Sequence, residues 1–334
     1  MTDDVPKLAV YYEHPEWFRA LFAELERRGT PHVRVDASAH RYDPAESRPE
    51  FALLLNRMSA SAYLRGHGNT TFYTRNYLAH LERHGVRVLN GREAFDVETS
   101  KALQLNLLAS LGLPHPPTRV VNSAREVAAA AAELRFPVIF KPHVGGRGAG
   151  VTRYDTPEAL RRDAAEGRLD LGIDSTALVQ EFIPARGGHI TRVETLGGRF
   201  LYAIKVFTTG ESYNLCPAEI CQIEDAAPQA VGEMCLADAP KAGLKVEPYE
   251  PPPEIVRAVE RIAEAGRLDL GGVEYLVDER DGRHYFYDLN ALSNFVADAE
   301  RVVGFDPHAR LVDYLEQEVR RCATATGSLS SAAG

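Results

Sequence analysis

Residues 136–151 read FPVIFKPHVGGRGAGV: an apolar run, a lysine at 141, then glycines at 145, 146, 148 and 150 leading into Val151. The run predicts a buried strand, and the residues from Val151 onward predict another, so the glycines form a turn between strands. Glycine lets successive backbone N–H groups come close to an anion, and an ammonium at the strand end beside such a loop favours phosphate. No Gly-Lys-Ser or Gly-Lys-Thr follows, which excludes a Walker loop. A strand rather than a helix follows, which excludes the dinucleotide-binding turn.

Upstream, residues 8–90 alternate short apolar runs (LAVYY, PHVRV, FALLLN, VRVLN) with stretches at helical spacing such as WFRALFAELERRG, a small parallel α/β unit. Residues 98–113 predict one amphipathic helix closed by Gly112, and residues 123–135 an alanine-rich helix with Ser123 and Glu126 as a capping box. Downstream come a helix near 157–166, a strand at 177–184, and ITRVETL and RFLYAIKVF joined as a hairpin by Gly197 and Gly198. A helix at 253–267, a second hairpin at 271–290 and a helix at 307–321 complete the order.

The second hairpin ends in Tyr287, Asp288, Leu289, Asn290. Strand alternation puts Asp288 and Asn290 on one face, about 7 Å apart. A three-residue turn of Arg280, Asp281 and left-handed Gly282 sets Glu274 opposite Asp288, whereas a two-residue Asp-Gly turn sends Glu274 to the other face. The first register makes Glu274, Asp288 and Asn290 an oxygen cluster suited to Mg²⁺. A phosphate cradle and a Mg²⁺ cluster on separate elements are what phosphoryl transfer needs. Lys101, Arg192 and Lys205 are the cations available beside them. Each reads singly as a surface charge, but the flanking apolar strand residues point them toward a cleft.

The chain has 334 residues, 45% apolar and 25% charged, which suits two or three globular units and excludes a disordered or fibrous chain. Its net charge of −9 argues against a surface built for nucleic acid or anionic lipid. The acidic start lacks a secretory h-region and no window reaches a membrane span, so a cytoplasmic protein is expected. Cys216, Cys221, Cys235 and Cys322 match no disulfide framework or zinc spacing and read as structural thiols. The last residues, ATATGSLSSAAG, lack bulky apolar side chains and are expected to form a flexible tail over 323–334.

In this order the motifs resemble the ATP-grasp superfamily, and within it the RimK-type and glutathione-synthase-like carboxylate-amine ligases, over nearly the whole chain. The resemblance implies an α/β and α+β fold: an N-terminal α/β domain over 1–95, a lid over 96–188 and a catalytic subdomain over 189–322, the last two clasping ATP. It makes Lys101 and Lys141 nucleotide-contacting lysines, and Gly145, Gly146, Gly148 and Gly150 a flap over the phosphates. Gln180, Glu181, Phe182 and Ile183 become the adenine hinge, and His189 stands where relatives place an acidic ribose ligand. Arg192 and Lys205 become catalytic phosphate-side cations, and Glu274, Asp288 and Asn290 the ligands of Mg²⁺ (or Mn²⁺), with Asp and Glu exchanged relative to the usual pattern. The loop ALSNF replaces a Pro-Gly loop, and its Ser293 is expected among the substrate-side residues. Because the N-terminal domain of such ligases faces the active site, Arg57, Arg65 and His67 are expected on the substrate side, the arginines holding a carboxylate. Asn214, with Cys216 and Glu219, is expected to line the same side.

The implied activity is ATP-dependent amide formation from a small-molecule acid and amine, amino acids or a peptide, through an acyl phosphate. The implied chain needs no nucleic acid or membrane and is compatible with a homo-oligomer. The alternatives are an ATP-grasp kinase or carboxylase, or a nucleotide-binding regulatory protein without turnover.

Overall fold

The computed structural model describes residues 7–46, 49–146, 148–207 and 245–331. Asn214, Cys216, Glu219, Cys221 and Cys235 lie outside the described residues.

Three sheets follow one another along the chain. The first has the order β2-β1-β3-β4, all parallel, from β1 (Leu8–Tyr12), β2 (His32–Asp36), β3 (Leu53–Arg57) and β4 (Arg87–Leu89). Its crossovers are α1 (Arg19–Arg28), ended by left-handed Gly29, and α2 (Gly68–Arg83). The second sheet, order β5-β8-β6-β7, is antiparallel: β5 (Thr118–Val121), β6 (Val138–Pro142), β7 (Thr152–Tyr154) and β8 (Ala177–Glu181). Residues 136–151 hold β6 and the turn that leads into β7, which begins at Thr152, one residue later than the sequence suggests. The third sheet, order β11-β10-β9-β12-β13, is also antiparallel: β9 (His189–Leu196), β10 (Arg199–Phe207), β11 (Val246–Tyr249), β12 (Leu270–Val277) and β13 (His284–Asn290).

The first and third sheets share one core. Leu8, Val10 and Leu53 pack in a single cluster with Ile190, Ile204, Leu270 and Leu311. The second sheet has its own, built on Val127, Val138, Phe140, Leu160 and Val179. Burial drives both, and the sharing decides which units move together.

Several elements differ from the sequence expectation. The helix expected over 98–113 is broken: α3 (Arg92–Glu98) ends and α4 (Lys101–Ser110) begins anew. Ser100 makes the break, because its Oγ accepts from the Leu103 N–H at 3.0 Å and leaves Ser100 extended. The capping box at Ser123 is not formed; Ser123 Oγ accepts from Arg125 N, a 3-10 turn takes 124–126, and only α5 (Val127–Ala132) is α-helical. The last helix runs Pro307–Ser331 instead of stopping at 321, with no proline after Pro307 to stop it. Among the described residues no helix is long and apolar enough to cross a membrane.

Candidate active site

A cavity of about 420 Å³ opens where the three sheets meet. On one wall Lys101 starts α4 and Lys141 stands one residue before the end of β6. Each is placed by local structure: Lys101 by the Ser100 cap and by its N–H donating to His143 O at 3.3 Å, Lys141 by donating Nζ to Gln180 Oε1 at 3.0 Å. Gln180 is held in turn by its amide donating to Thr118 Oγ1 at 2.9 Å. Gly145, Gly146 and Gly148 line the cavity mouth. Gly150 does not line it. It makes the turn, with φ +71° and an added Cβ 2.8 Å from Pro142 Cγ. The glycine loop abuts the first unit, for a Cβ on Gly145 would stand 3.2 Å from Tyr63 Oη.

On the opposite wall β9, β12 and β13 present Arg192, Glu274 and Asp288 side by side, in the registers Arg192↔Glu274 and Glu274↔Asp288. Arg192 donates to Glu274 at 2.9 Å, to Glu194 at 2.6 Å and to Ser293 Oγ at 3.2 Å. Lys101 Nζ reaches across to Asp288 Oδ1 at 2.8 Å, and Asn290 donates to Asp288 Oδ2 at 3.3 Å. The expected register of Glu274 is present, but by another route. The turn runs from Asp278 to Arg283, whose N–H and C=O pair at 2.8 Å, and a bulge at Tyr287 restores the pairing of Glu274 with Asp288. The bulge also turns Tyr287 inward, where its hydroxyl donates to Glu274 Oε2 at 2.9 Å.

The charges are strongly coupled. Burial lowers the Lys141 ammonium, and the nearby Lys101 charge adds to this, bringing it to about 7. Burial acts on Lys101 in the same sense, but the Asp288 carboxylate outweighs it and the net shift is upward. Asp288 is depressed correspondingly: its burial is outweighed by Lys101. Glu274 is raised by burial, against the pull of Arg192. Burial pushes Glu98, also on the cavity wall, up to about 7.

Among the described residues no three His, Cys, Asp or Glu side chains cluster as a metal cage. Glu274, Asp288 and Asn290 supply two carboxylates and an amide, which fits Mg²⁺, an ion that keeps waters and substrate phosphates among its ligands. The hinge residues Gln180, Glu181, Phe182 and Ile183 all border the same cavity, with Arg153 of β7 stacked 4.4 Å above the Phe182 ring.

Other expected residues lie elsewhere. Lys205 is on the opposite face of the sheet, paired with Thr191 and Glu247, its ammonium 4.7 Å from the centre of the Tyr249 ring. A bulge between Phe200 and Tyr202 shifts the β9–β10 register by one residue and turns Lys205 away from Arg192. His189 points out of the cavity, because Ile190 and Arg192 occupy the inward positions of β9, and it packs on Phe207. Arg65 and His67 both bind Glu13, at 2.6 and 2.7 Å, and Arg65 stacks 4.4 Å over Trp17. Arg57 is buried beneath the 291–295 loop, donating to Ser293 O and to Asn294 Oδ1, and burial lowers it to about 10. Ser293 stands behind the wall between Arg57 and Arg192. Sequence reading missed Glu13, Glu98, Glu194 and Tyr287. An isolated glutamate carries no motif, and Tyr287 enters only through the bulge.

No family model matches the chain. A probable α-L-glutamate ligase of Teredinibacter turnerae is 31% identical over 170 residues, 50% of this chain and 52% of that protein. The D-alanine–D-alanine ligase of Laribacter hongkongensis is 31% identical over 184 residues, 54% of this chain and 51% of that protein. The match thus spans about half the length of these curated relatives. The structure of a RimK-domain ATP-grasp protein from Sphaerobacter thermophilus superposes with a TM-score of 0.65 at 22% identity, over 92% of this chain and 98% of that one. The chain therefore has the ATP-grasp fold of that structure, and over about half of its length its sequence is similar to these ligases.

Proposed function

We propose that the chain is an ATP-dependent carboxylate–amine ligase with ATP and Mg²⁺ (or Mn²⁺) as nucleotide and metal, organised as units over 1–95, 96–188 and 189–322. The observation that carries this reading is one cavity in which a glycine turn and two lysines face two carboxylates, an amide and a buried arginine. The curated relatives named as ligases support the bond type. In this reading Lys101, Lys141 and the 145–148 backbone hold the phosphates, and the hinge from Gln180 to Ile183 takes the base. Glu274, Asp288 and Asn290 would hold Mg²⁺, which supplies neutralisation of the phosphate oxygens.

The carboxylate of one substrate attacks the γ-phosphate, releasing ADP and forming an acyl phosphate; the amine of the second displaces phosphate and leaves an amide. Arg192 holds Glu274 in place from behind and adds positive charge to that wall. The groups act by position and charge, without a protein nucleophile. The glycine loop seated against Tyr63 keeps water from the acyl phosphate.

The test is ADP release with acids and amines offered singly and in pairs, with product masses. An amide of the expected mass with one ADP per bond supports the ligase. ADP release with no amide in any pair points to a kinase or carboxylase, and no release at all to a regulatory protein. Asp288→Asn removes a carboxylate and leaves Lys101 without its partner, so turnover is expected to be lost; retained activity removes the metal assignment.

A further inference from the structure

The cavity has two chemically different ends. Phe182 and Ile183 mark the end away from the first unit. At the other, Trp17, Ala60, Leu292 and Phe295 make the wall, and Trp17 and Phe295 belong to one apolar cluster on which Leu292 packs. Glu98 stands at the edge of this wall. Its Oε2 accepts the N–H groups of Ala291 at 2.5 Å and Leu292 at 3.4 Å, so the carboxylate and the apolar loop are fixed to each other.

The guanidinium groups of Arg57 and Arg65 stand behind this end, and neither lines the cavity. Arg65 is paired with buried Glu13, and Arg57 is directed at the loop oxygens of residues 293 and 294. A second carboxylate entering here meets the charge of Glu98 and finds neither the Arg57 nor the Arg65 guanidinium on the cavity wall. An ammonium gains the Glu98 carboxylate, and an apolar side chain gains the Trp17–Phe295 wall.

We propose that this end of the cavity takes a substrate bearing an ammonium on an apolar body, an amino acid or peptide N-terminus with an aromatic or branched aliphatic side chain, in preference to an acidic amino acid. The assignment rests on the ligase reading, because it treats this end as the substrate end. Glu98 is the residue that receives the ammonium.

The chain's one tryptophan is Trp17, so its emission reports occupancy without turnover. With ADP and Mg²⁺ present, L-phenylalaninamide, L-leucinamide, L-phenylalanine, L-glutamate and 3-phenylpropionamide are titrated in turn. The first three are expected to give saturable changes, and glutamate to bind at least about tenfold more weakly, the factor that one charge-assisted hydrogen bond supplies. Glu98→Gln should weaken phenylalaninamide by about tenfold and leave 3-phenylpropionamide, which has no ammonium, unchanged. Glutamate binding as tightly as the apolar amides overturns the proposal, and so does the absence of any saturable change. An equal loss for both phenyl ligands in Glu98→Gln overturns the role of Glu98.

Product analysis separates the two readings. Apolar amines that bind but yield no amide with any acid support this pocket and sink the ligase. Amide formed only from glutamate pairs keeps the ligase and sinks the pocket. Among productive probes, phenylalaninamide can serve only as the amine, whereas phenylalanine can also serve as the acid.

Discussion

Lys141 and Lys101 sit in one cavity, yet their environments push their protonation in opposite directions. Lys101 keeps its proton because Asp288 lies 2.8 Å away. Among the described residues Lys141 Nζ is bonded to the neutral Gln180 amide oxygen, and burial beside Lys101 brings it to about 7. A phosphate arriving at Lys141 favours the charged form, so binding takes up a proton wherever the free lysine has lost it. The sign follows: ADP affinity is expected to be greatest below pH 7 and to fall toward about tenfold per pH unit above it. Calorimetry in buffers of different ionisation enthalpy reads this directly, with proton uptake at pH 8 and almost none at pH 6. Pairing of the same affinity at both values would mean that Lys141 is charged throughout. Lys141 was legible in the sequence, since a lysine ending an apolar strand before four glycines has few other uses. Its depressed proton affinity was not, because it depends first on burial where the sheets meet and then on Lys101, which comes from a helix forty residues earlier.

The elements that deliver these side chains contain two strand bulges, and the bulges decide what the sequence could reveal. A two-residue Gly197–Gly198 turn by itself pairs Lys205 with Ile190 and directs both into the cavity. The extra residue between Phe200 and Tyr202 moves the pairing to Thr191 and sends Lys205 to the other face. In the second hairpin a bulge at Tyr287 has the reverse consequence: with the turn as it is, Glu274 meets Asp288 only because of it. The alternating pattern of a strand is readable, whereas a bulge adds a residue without a sequence signature. Lys205→Ala is therefore expected to leave ADP affinity within about twofold, as for an ordinary surface charge. A large loss would put Lys205 back beside the phosphates. Gly272 makes the opposite kind of demand, because a Cβ there would lie 2.6 Å from Arg192 Nη2 and 2.8 Å from its Cζ. Gly272→Ala forces the guanidinium off its seat against Glu274 and Glu194. A loss of about 1–3 kcal/mol in urea unfolding is expected, together with a marked fall in turnover. Unchanged stability and turnover would show that Arg192 has another seat. The break between α3 and α4 belongs to this scale too: the apolar spacing runs through it, and only the Ser100 cap separates Glu98 from Lys101 so that both face the cavity.

Across the whole molecule, the sheets do not carry equal ties. The first and third share a continuous apolar core, and Asn90 fastens them further: its side chain donates to Leu270 O at 2.8 Å and Ala291 O at 2.7 Å and accepts from Asp269 N at 2.8 Å. Arg28 bridges from α1 to Asp313 on the last helix at 2.6 Å. The second sheet is built mainly on a core of its own and meets the third through Leu178 of β8, which packs with Val193 and Val273, and through backbone bonds such as Glu279 N to Pro184 O at 2.9 Å and Phe286 N to Pro114 O at 3.0 Å. Units with separate cores open separately, at a free energy below that of global unfolding. Hydrogen exchange in low urea should therefore divide the amides into two groups. Those of Phe140 and Val179 should exchange through an opening with a small urea dependence, while those of Val10, Leu55 and Val193 exchange through a larger one, because the urea slope follows the surface exposed. ADP with Mg²⁺ touches both sides of the cavity in the proposed ligase, so it should raise protection at Phe140 and Val179 and bring their urea slope toward that of the other group. A single common slope without nucleotide would mean that the three sheets unfold as one. Two slopes that nucleotide leaves unchanged would mean that ADP does not bridge the lysine wall and the carboxylate wall, removing the clasp on which the proposed catalysis depends.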